Sequence, residues 1–171
     1  FRFGLDLGCE WKGIDFSMFW QGVANRDLWL DGPMFWGISG GEWQSTGLKE
    51  HLDYYRPENT TSVFGPNTNA YFPKMYMSKD MNQKVQTRYL QNGAYARLKN
   101  IQLGYTFPTQ IINKLHMQKL RVYVSAENVL TITSLPSGFD PETTYSSYSD
   151  GNSGKTYPLQ TTISFGLNAT F

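Results

Sequence analysis

The sequence contains a single cysteine, Cys9, so no disulfide can form within it and a cysteine-built metal cluster is not expected. It has only two histidines, His51 and His116, far apart and without the partner spacing of a zinc site or a catalytic triad, and both read as solvated side chains. It has no run of the roughly 18 apolar residues that a membrane-spanning helix needs. Charge is scarce at 17% and nearly balanced at +1, which gives no reason to expect nucleic acid or an anionic membrane surface as partner. No initiator methionine or signal peptide stands at Phe1, so a precursor part is expected to lie outside these residues.

Aromatic side chains, in contrast, make up 16% of the chain. Combined with many Thr, Ser, Asn, Gly and Gln, and a polar mean hydropathy of −0.45, they suit a β protein rather than a helical one. Periodicity says the same. Over residues 159–171, Leu159, Thr161, Ile163, Phe165, Leu167, Ala169 and Phe171 alternate with Gln160, Thr162, Ser164, Gly166, Asn168 and Thr170, as side chains do across a strand. Globular strands average about 5–6 residues. One crossing a bilayer needs roughly 9–11, so this length favours a membrane strand.

Four further strands follow the same rule. Leu120, Val122, Val124 and Ala126 alternate with Arg121, Tyr123, Ser125 and Glu127. Phe1, Phe3, Leu5, Leu7 and Cys9 alternate with Arg2, Gly4, Asp6, Gly8 and Glu10. Ile14, Phe16, Met18 and Trp20 alternate with Asp15, Ser17 and Gln21, with Phe19 breaking the polar row, and a tight turn at residues 10–13 joins these two strands. The fifth strand is expected over about 86–107. Its phase flips near Lys99-Asn100, as one inserted residue would cause in a β-bulge.

The connections alternate in length. Those near residue 11 and over 108–118 are short, the second with a helical turn at 110–115; those over about 23–85 and 133–158 are long. Long loops argue against a compact soluble domain. Outer-membrane barrels combine short periplasmic turns with long extracellular loops. The fold class expected is therefore all-β: an antiparallel transmembrane β-barrel segment of about five long strands, with residues 1–171 part of one barrel domain. Phe171 would lie at the periplasmic end, aliphatic rows would face outer-membrane lipid, and charged rows would face the lumen. Closure takes about eight strands or more, so other strands must supply the rest of the wall. The first long loop holds one helix candidate, residues 46–56, with Leu48, Leu52 and Tyr55 on one face, Ser45 or Thr46 as cap and Pro57 as stop. Residues 145–155 read as a loop tip.

Particular residues then carry a resemblance. Residues 95–108, with Arg97-Leu98-Lys99-Asn100-Ile101-Gln102-Leu103-Gly104-Tyr105-Thr106-Phe107-Pro108, closely resemble a signature of the SusC/RagA family of TonB-dependent transporters. Residues 120–130, ending in Asn128-Val129-Leu130, resemble its next strand. Phe139-Asp140-Pro141-Glu142 is similar to a family loop, and residues 157–171 to its terminal strand. Arg56-Pro57-Glu58-Asn59 and Phe72-Pro73-Lys74 resemble the stretch after the loop helix. The resemblance covers nearly the whole chain and identifies it as the carboxy-terminal part of such a barrel. It implies a plugged barrel in the outer membrane of a Gram-negative bacterium. It implies import of oligosaccharides, or of peptides, with a SusD-like surface lipoprotein as partner. TonB would act through a region outside these residues, as would the plug. A passive porin and a soluble β adhesin are the competing readings.

No enzymatic constellation and no cofactor is expected. Asp150-Gly151-Asn152-Ser153-Gly154 lacks the spacing of a calcium loop and reads as a turn; Asp140-Pro141-Glu142 reads as a loop anchor. Cys9 continues the lipid-facing row. Trp29, Trp36, Trp43, Tyr71, Tyr76, Tyr145 and Tyr148 are the candidates for stacking on substrate or contacting the lid lipoprotein, against the plainer reading that loop aromatics such as these, with Tyr54, Tyr55 and Phe72, pack the loop on itself. Arg97, Lys99, Arg121 and Glu127 are the expected lumen-facing groups, alongside Arg2, Asp6 and Asp15.

Overall fold

A computed structural model of the chain describes residues 1–37, 47–75, 82–144 and 156–171. They form two compact units. One comprises Phe1–Arg26, Gly93–Ser134 and Leu159–Phe171; the other comprises Asp27–Asn92 and Leu135–Pro158.

The first unit is a five-stranded antiparallel sheet in the order β1 (Arg2–Trp11), β2 (Ile14–Val23), β5 (Tyr95–Thr106), β6 (Lys119–Thr133), β7 (Thr162–Thr170). β1 (Arg2–Trp11) and β2 (Ile14–Val23) pair from Trp11↔Ile14 to Arg2↔Val23. Lys12 (φ 49°) and Gly13 (φ 86°) form the turn between them, and two positive φ values are what a two-residue hairpin of this twist requires. β5 (Tyr95–Thr106) begins later than the expected residue 86. The stretch before it is instead a 3-10 turn, Thr87–Tyr89, and a short strand β4 (Leu90–Asn92), which pairs with β3 (Asp27–Trp29) in the other unit.

The inserted residue is Lys99. On the β2 side Asn100 faces Phe19 and Leu98 faces Trp20, so Lys99 is the extra residue between them. On the β6 side Leu98 faces Leu130 and Asn100 faces Glu127, which leaves Asn128 and Val129 opposite it. Asn128 takes a left-handed φ of 53°, a conformation that Asn tolerates. The bulge restores the side-chain phase on both sides, as the flip in the sequence requires. β6 (Lys119–Thr133) is longer than expected and β7 (Thr162–Thr170) shorter than residues 159–171. Asn128 explains the second difference. The ladder stops at Glu127↔Thr162, and beyond it the Asn128 amide donates to the Gln160 carbonyl (3.1 Å) while the Thr161 hydroxyl donates to the Asn128 carbonyl (3.0 Å). Between β5 and β6, α2 (Thr109–Ile112) runs into a 3-10 turn, Asn113–Leu115, and ends at His116 with φ 56°.

Following the register across the strands sorts the side chains onto two faces. One carries Phe3, Leu5, Leu7, Cys9 and Trp11; Ile14, Phe16, Met18 and Trp20; Ala96, Leu98, Ile101, Leu103 and Tyr105; Leu120, Val122, Val124, Ala126, Leu130 and Ile132; and Ile163, Phe165, Leu167 and Ala169. Every one is apolar or nearly so. The other face carries the acids, bases, amides and hydroxyls, with Phe19 and the tyrosines Tyr95 and Tyr123 among them.

The second unit has its own core of Leu28, Leu30, Phe35, Trp36, Phe72, Tyr89, Leu135 and Phe139. α1 (Pro33–Trp36) delivers Phe35 and Trp36 into it. The Trp36 indole N–H donates to the Leu30 carbonyl at 3.2 Å, so its one polar group is satisfied inside. Its ring meets Tyr89 at 4.8 Å and Phe35 at 5.0 Å, both edge-on.

The helix expected at 46–56 is a correction. Only Lys49–Leu52 is helical, as one 3-10 turn. Past it the backbone pairs elsewhere: Tyr55 N–H donates to the Phe72 carbonyl, and Arg56 and Asn67 exchange two bonds. These long-range partners outcompete helical ones. The proposed Ser45 and Thr46 caps and the 145–155 loop tip lie outside the described residues. In their place, Leu48 N–H donates to His51 Nδ1 at 2.8 Å.

Candidate functional site

On the polar face of the sheet, Asp15 of β2 and Arg121 of β6 form a two-pronged ion pair, Nε to Oδ1 at 2.9 Å and Nη2 to Oδ2 at 2.5 Å. β5 lies between them, and the pair passes over Gly104. A Cβ there would stand 2.5 Å from Asp15 Oδ1 and 2.6 Å from Arg121 Nη2, so any side chain would push the paired groups aside. The Arg121 guanidinium also lies 4.8 Å from the Tyr123 ring. A cavity of about 490 Å³ opens here, near the β1–β2 turn, lined by Glu10, Lys12, Asp15, Lys119 and Arg121 with Trp11 and Thr106.

The register places six of the seven expected lumen-facing residues, Arg2, Asp6, Asp15, Arg97, Arg121 and Glu127, on this polar face. Arg97 is buried at 3% exposure, its Nε donating to the Thr131 hydroxyl at 2.7 Å. Lys99 is the bulge residue and stands out of register. Cys9 is exposed on the apolar face, opposite Phe16.

In the second unit the expected binding aromatics divide. Trp36 is 1% exposed and belongs to the core, so its indole presents no surface to a ligand. Trp29 packs against that core, 5.7 Å from Trp36. Tyr71 is exposed at 36%. Trp43, Tyr76, Tyr145 and Tyr148 lie outside the described residues. Tyr89, not among the candidates, is buried, which holds its phenol above the usual tyrosine range; it donates to the Tyr71 carbonyl at 3.0 Å.

His51 is not a solvated histidine, as its sequence context suggested. It is 6% exposed, with Nδ1 accepting from Leu48 N–H and Nε2 at 3.0 Å from the Phe35 carbonyl. Both ring nitrogens are therefore occupied, Nδ1 as acceptor and Nε2 beside a carbonyl that can only accept. Asp140 closes a turn: its Oδ1 accepts from Glu142 N–H at 2.8 Å and its carbonyl from Thr144 N–H at 2.9 Å, which is anchoring geometry. Among the described residues no group of three or more His, Cys, Asp and Glu side chains could hold a metal ion.

A smaller cavity of about 230 Å³ opens in this unit between Met34, Phe35, Leu48, Glu50, His51, Tyr71, Phe72, Gln91 and the Pro136–Phe139 stretch. Of these, sequence reasoning singled out only Tyr71 as a binding candidate. The others come from segments far apart in the chain, and no local pattern joins them.

No family model matches the chain. It is 28% identical over its full length to TonB-dependent receptor P3 of Formosa agariphila, and 25% identical over 99% of its length to TonB-dependent receptor P26 of the same organism. Among solved structures it is similar to a chain of the RagAB peptide transporter, with a TM-score of 0.66 and 26% identity over 98% of this chain. Its similarity is to TonB-dependent receptors and to a chain of a RagA-type transporter over nearly the whole of its own length. The chain spans about a sixth of the length of the relatives it matches, 16% and 17% of the two receptors and 17% of the RagAB chain. The RagAB importer in its open-open state has the same fold over 99% of this chain, with a TM-score of 0.65.

Proposed function

We propose that the chain forms part of the wall of an outer-membrane β-barrel that imports bulky nutrients, oligosaccharides in the first place. A SusD-like lipoprotein would cover it, and TonB would drive it through a region outside these residues. One observation carries the reading: an apolar face that runs unbroken across five strands. Phe165 is 85% exposed, Leu167 64% and Ile163 63%. A soluble monomer rarely shows an apolar patch above a few hundred Å². The strands are 9–15 residues long, against the roughly 9–11 that cross a bilayer. Lipid satisfies such a face without cost, and the opposite face supplies a polar lumen. A barrel has no free edge, so the unpaired outer edges of β1 and β7 would be met by further strands. The relatives are receptors and transporters by name, and we read no enzymatic role in the chain.

Peptide import is the second reading, favoured by the similarity to the RagAB peptide transporter. The test has two stages. The detergent-extracted parent should migrate faster on a gel unheated than boiled, as closed barrels do; a parent soluble without detergent would overturn the barrel. Cells lacking the gene should lose uptake of an oligosaccharide. Retained glycan uptake with lost peptide uptake would replace the first substrate class by the second.

A further inference from the structure

The 230 Å³ cavity of the second unit has a lining that selects a chemistry. Its floor is aromatic: Phe72 meets Phe35 at 5.7 Å and Tyr71 at 4.9 Å, and Phe35 meets Phe139 at 6.5 Å. Met34, Leu48 and Tyr71, each partly exposed, wall it. The ring nitrogens of His51 and the amide nitrogen of Gln91, two of its polar lining residues, are already engaged. Both nitrogens of His51 are taken by Leu48 N–H and the Phe35 carbonyl. The Gln91 amide nitrogen is 3.0 Å from the Tyr71 hydroxyl and 2.8 Å from the Tyr89 carbonyl, which uses its two hydrogens. Among the described residues that line the cavity, Glu50 is the only charged one, and it is exposed.

Three occupants compete. A sugar ring needs several convergent hydrogen-bonding groups, and these engaged groups do not supply them. A neutral apolar side chain would fill the floor but would leave the exposed Glu50 carboxylate at its edge without a counter-charge. A cation on an aliphatic stem satisfies both, since the stem lies along Met34 and Leu48 and the head meets the Glu50 carboxylate. Arginine fits best: its planar guanidinium can pair with a carboxylate in a fork and stack on the Tyr71 ring. The size agrees, because pockets for drug-sized ligands run about 300–1,000 Å³ and this one is smaller, with room for one side chain. We propose that this cavity is a binding site for an arginine side chain of a peptide ligand. The role rests on the peptide form of the importer reading; the binding itself does not.

The test uses the purified full-length parent in detergent with N-acetyl-arginine methylamide, its neutral citrulline counterpart and methyl glucoside as probes, followed by saturation-transfer NMR. The arginine probe should bind saturably and the citrulline probe roughly two- to fivefold more weakly, the loss of one exposed charged pair. Glu50→Gln, at an exposed position, should bring arginine to the citrulline level and leave heat-modifiable migration unchanged. Absence of saturable arginine binding, equal affinity for the two probes, an unaffected E50Q variant, or binding of the glucoside alone would each overturn the site. Arginine binding without peptide uptake by cells would instead sink the peptide form of the importer reading and leave the site standing.

Discussion

Asp15 and Arg121 sit on strands that are not neighbours, yet their side chains join across β5 over Gly104. The pair links three strands on the polar face through contacts separated by more than a hundred residues of chain. Gly104→Ala should therefore displace the pair, because its Cβ would meet both charged ends. In the purified parent, Gly104→Ala, Asp15→Asn and Arg121→Gln should each lower the temperature at which the fast-migrating gel form is lost. The double variant D15N/R121Q should cost less than the sum of its singles, because the second substitution finds no partner left to lose. Strict additivity would show the pair to be energetically uncoupled.

Phe165 and Asn168 test the two faces of one strand. Phe165 lies on the apolar face and Asn168 on the polar one, opposite Arg121. Phe165→Arg should cost about 2–4 kcal/mol if the position lies at the bilayer midplane, and the amount of folded protein in the outer membrane should fall. Asn168→Lys should leave that amount close to wild type. Equal tolerance of both would contradict a lipid-facing row.

Trp36 anchors the core of the second unit. Trp36→Ala should destabilise that unit by about 3–5 kcal/mol, through lost burial and the cavity left behind. Limited proteolysis should then cut within residues 47–75 faster than in wild type, while heat-modifiable migration persists. Unchanged cleavage would show that the unit does not depend on this core.

Asn128 holds the start of β7 with its side chain and keeps a left-handed backbone. Asn128→Gly preserves the backbone and loses one hydrogen bond, about 0.5–1.5 kcal/mol. Asn128→Val should cost more, because a β-branched residue resists positive φ. Amide hydrogen exchange over residues 159–163 reads the difference, with the order wild type, Gly, Val in rising rate; Val matching Gly would rule out the backbone requirement.

Sequence alone determined the strands, their two-faced alternation, the bulge at Lys99 and the unequal connections, because period-2 patterning is a local consequence of pleated geometry. Its failures share one cause. The expected helix at 46–56 has good helical spacing, but its backbone bonds go to Asn67 and Phe72, which local pattern does not foresee. The early start of β5 failed because β4 found β3 instead, and Asn128 cut β7 short by contacts over thirty residues away. Aromatic content in the long loop was legible, but not which rings were core: Trp36 and Tyr71 look alike in sequence, and only packing buries one and leaves the other open. The Asp15–Arg121 pair and the cavity at Glu50 were likewise decided in three dimensions, where register and chain crossing bring together groups whose chemistry the sequence names but whose neighbours it does not.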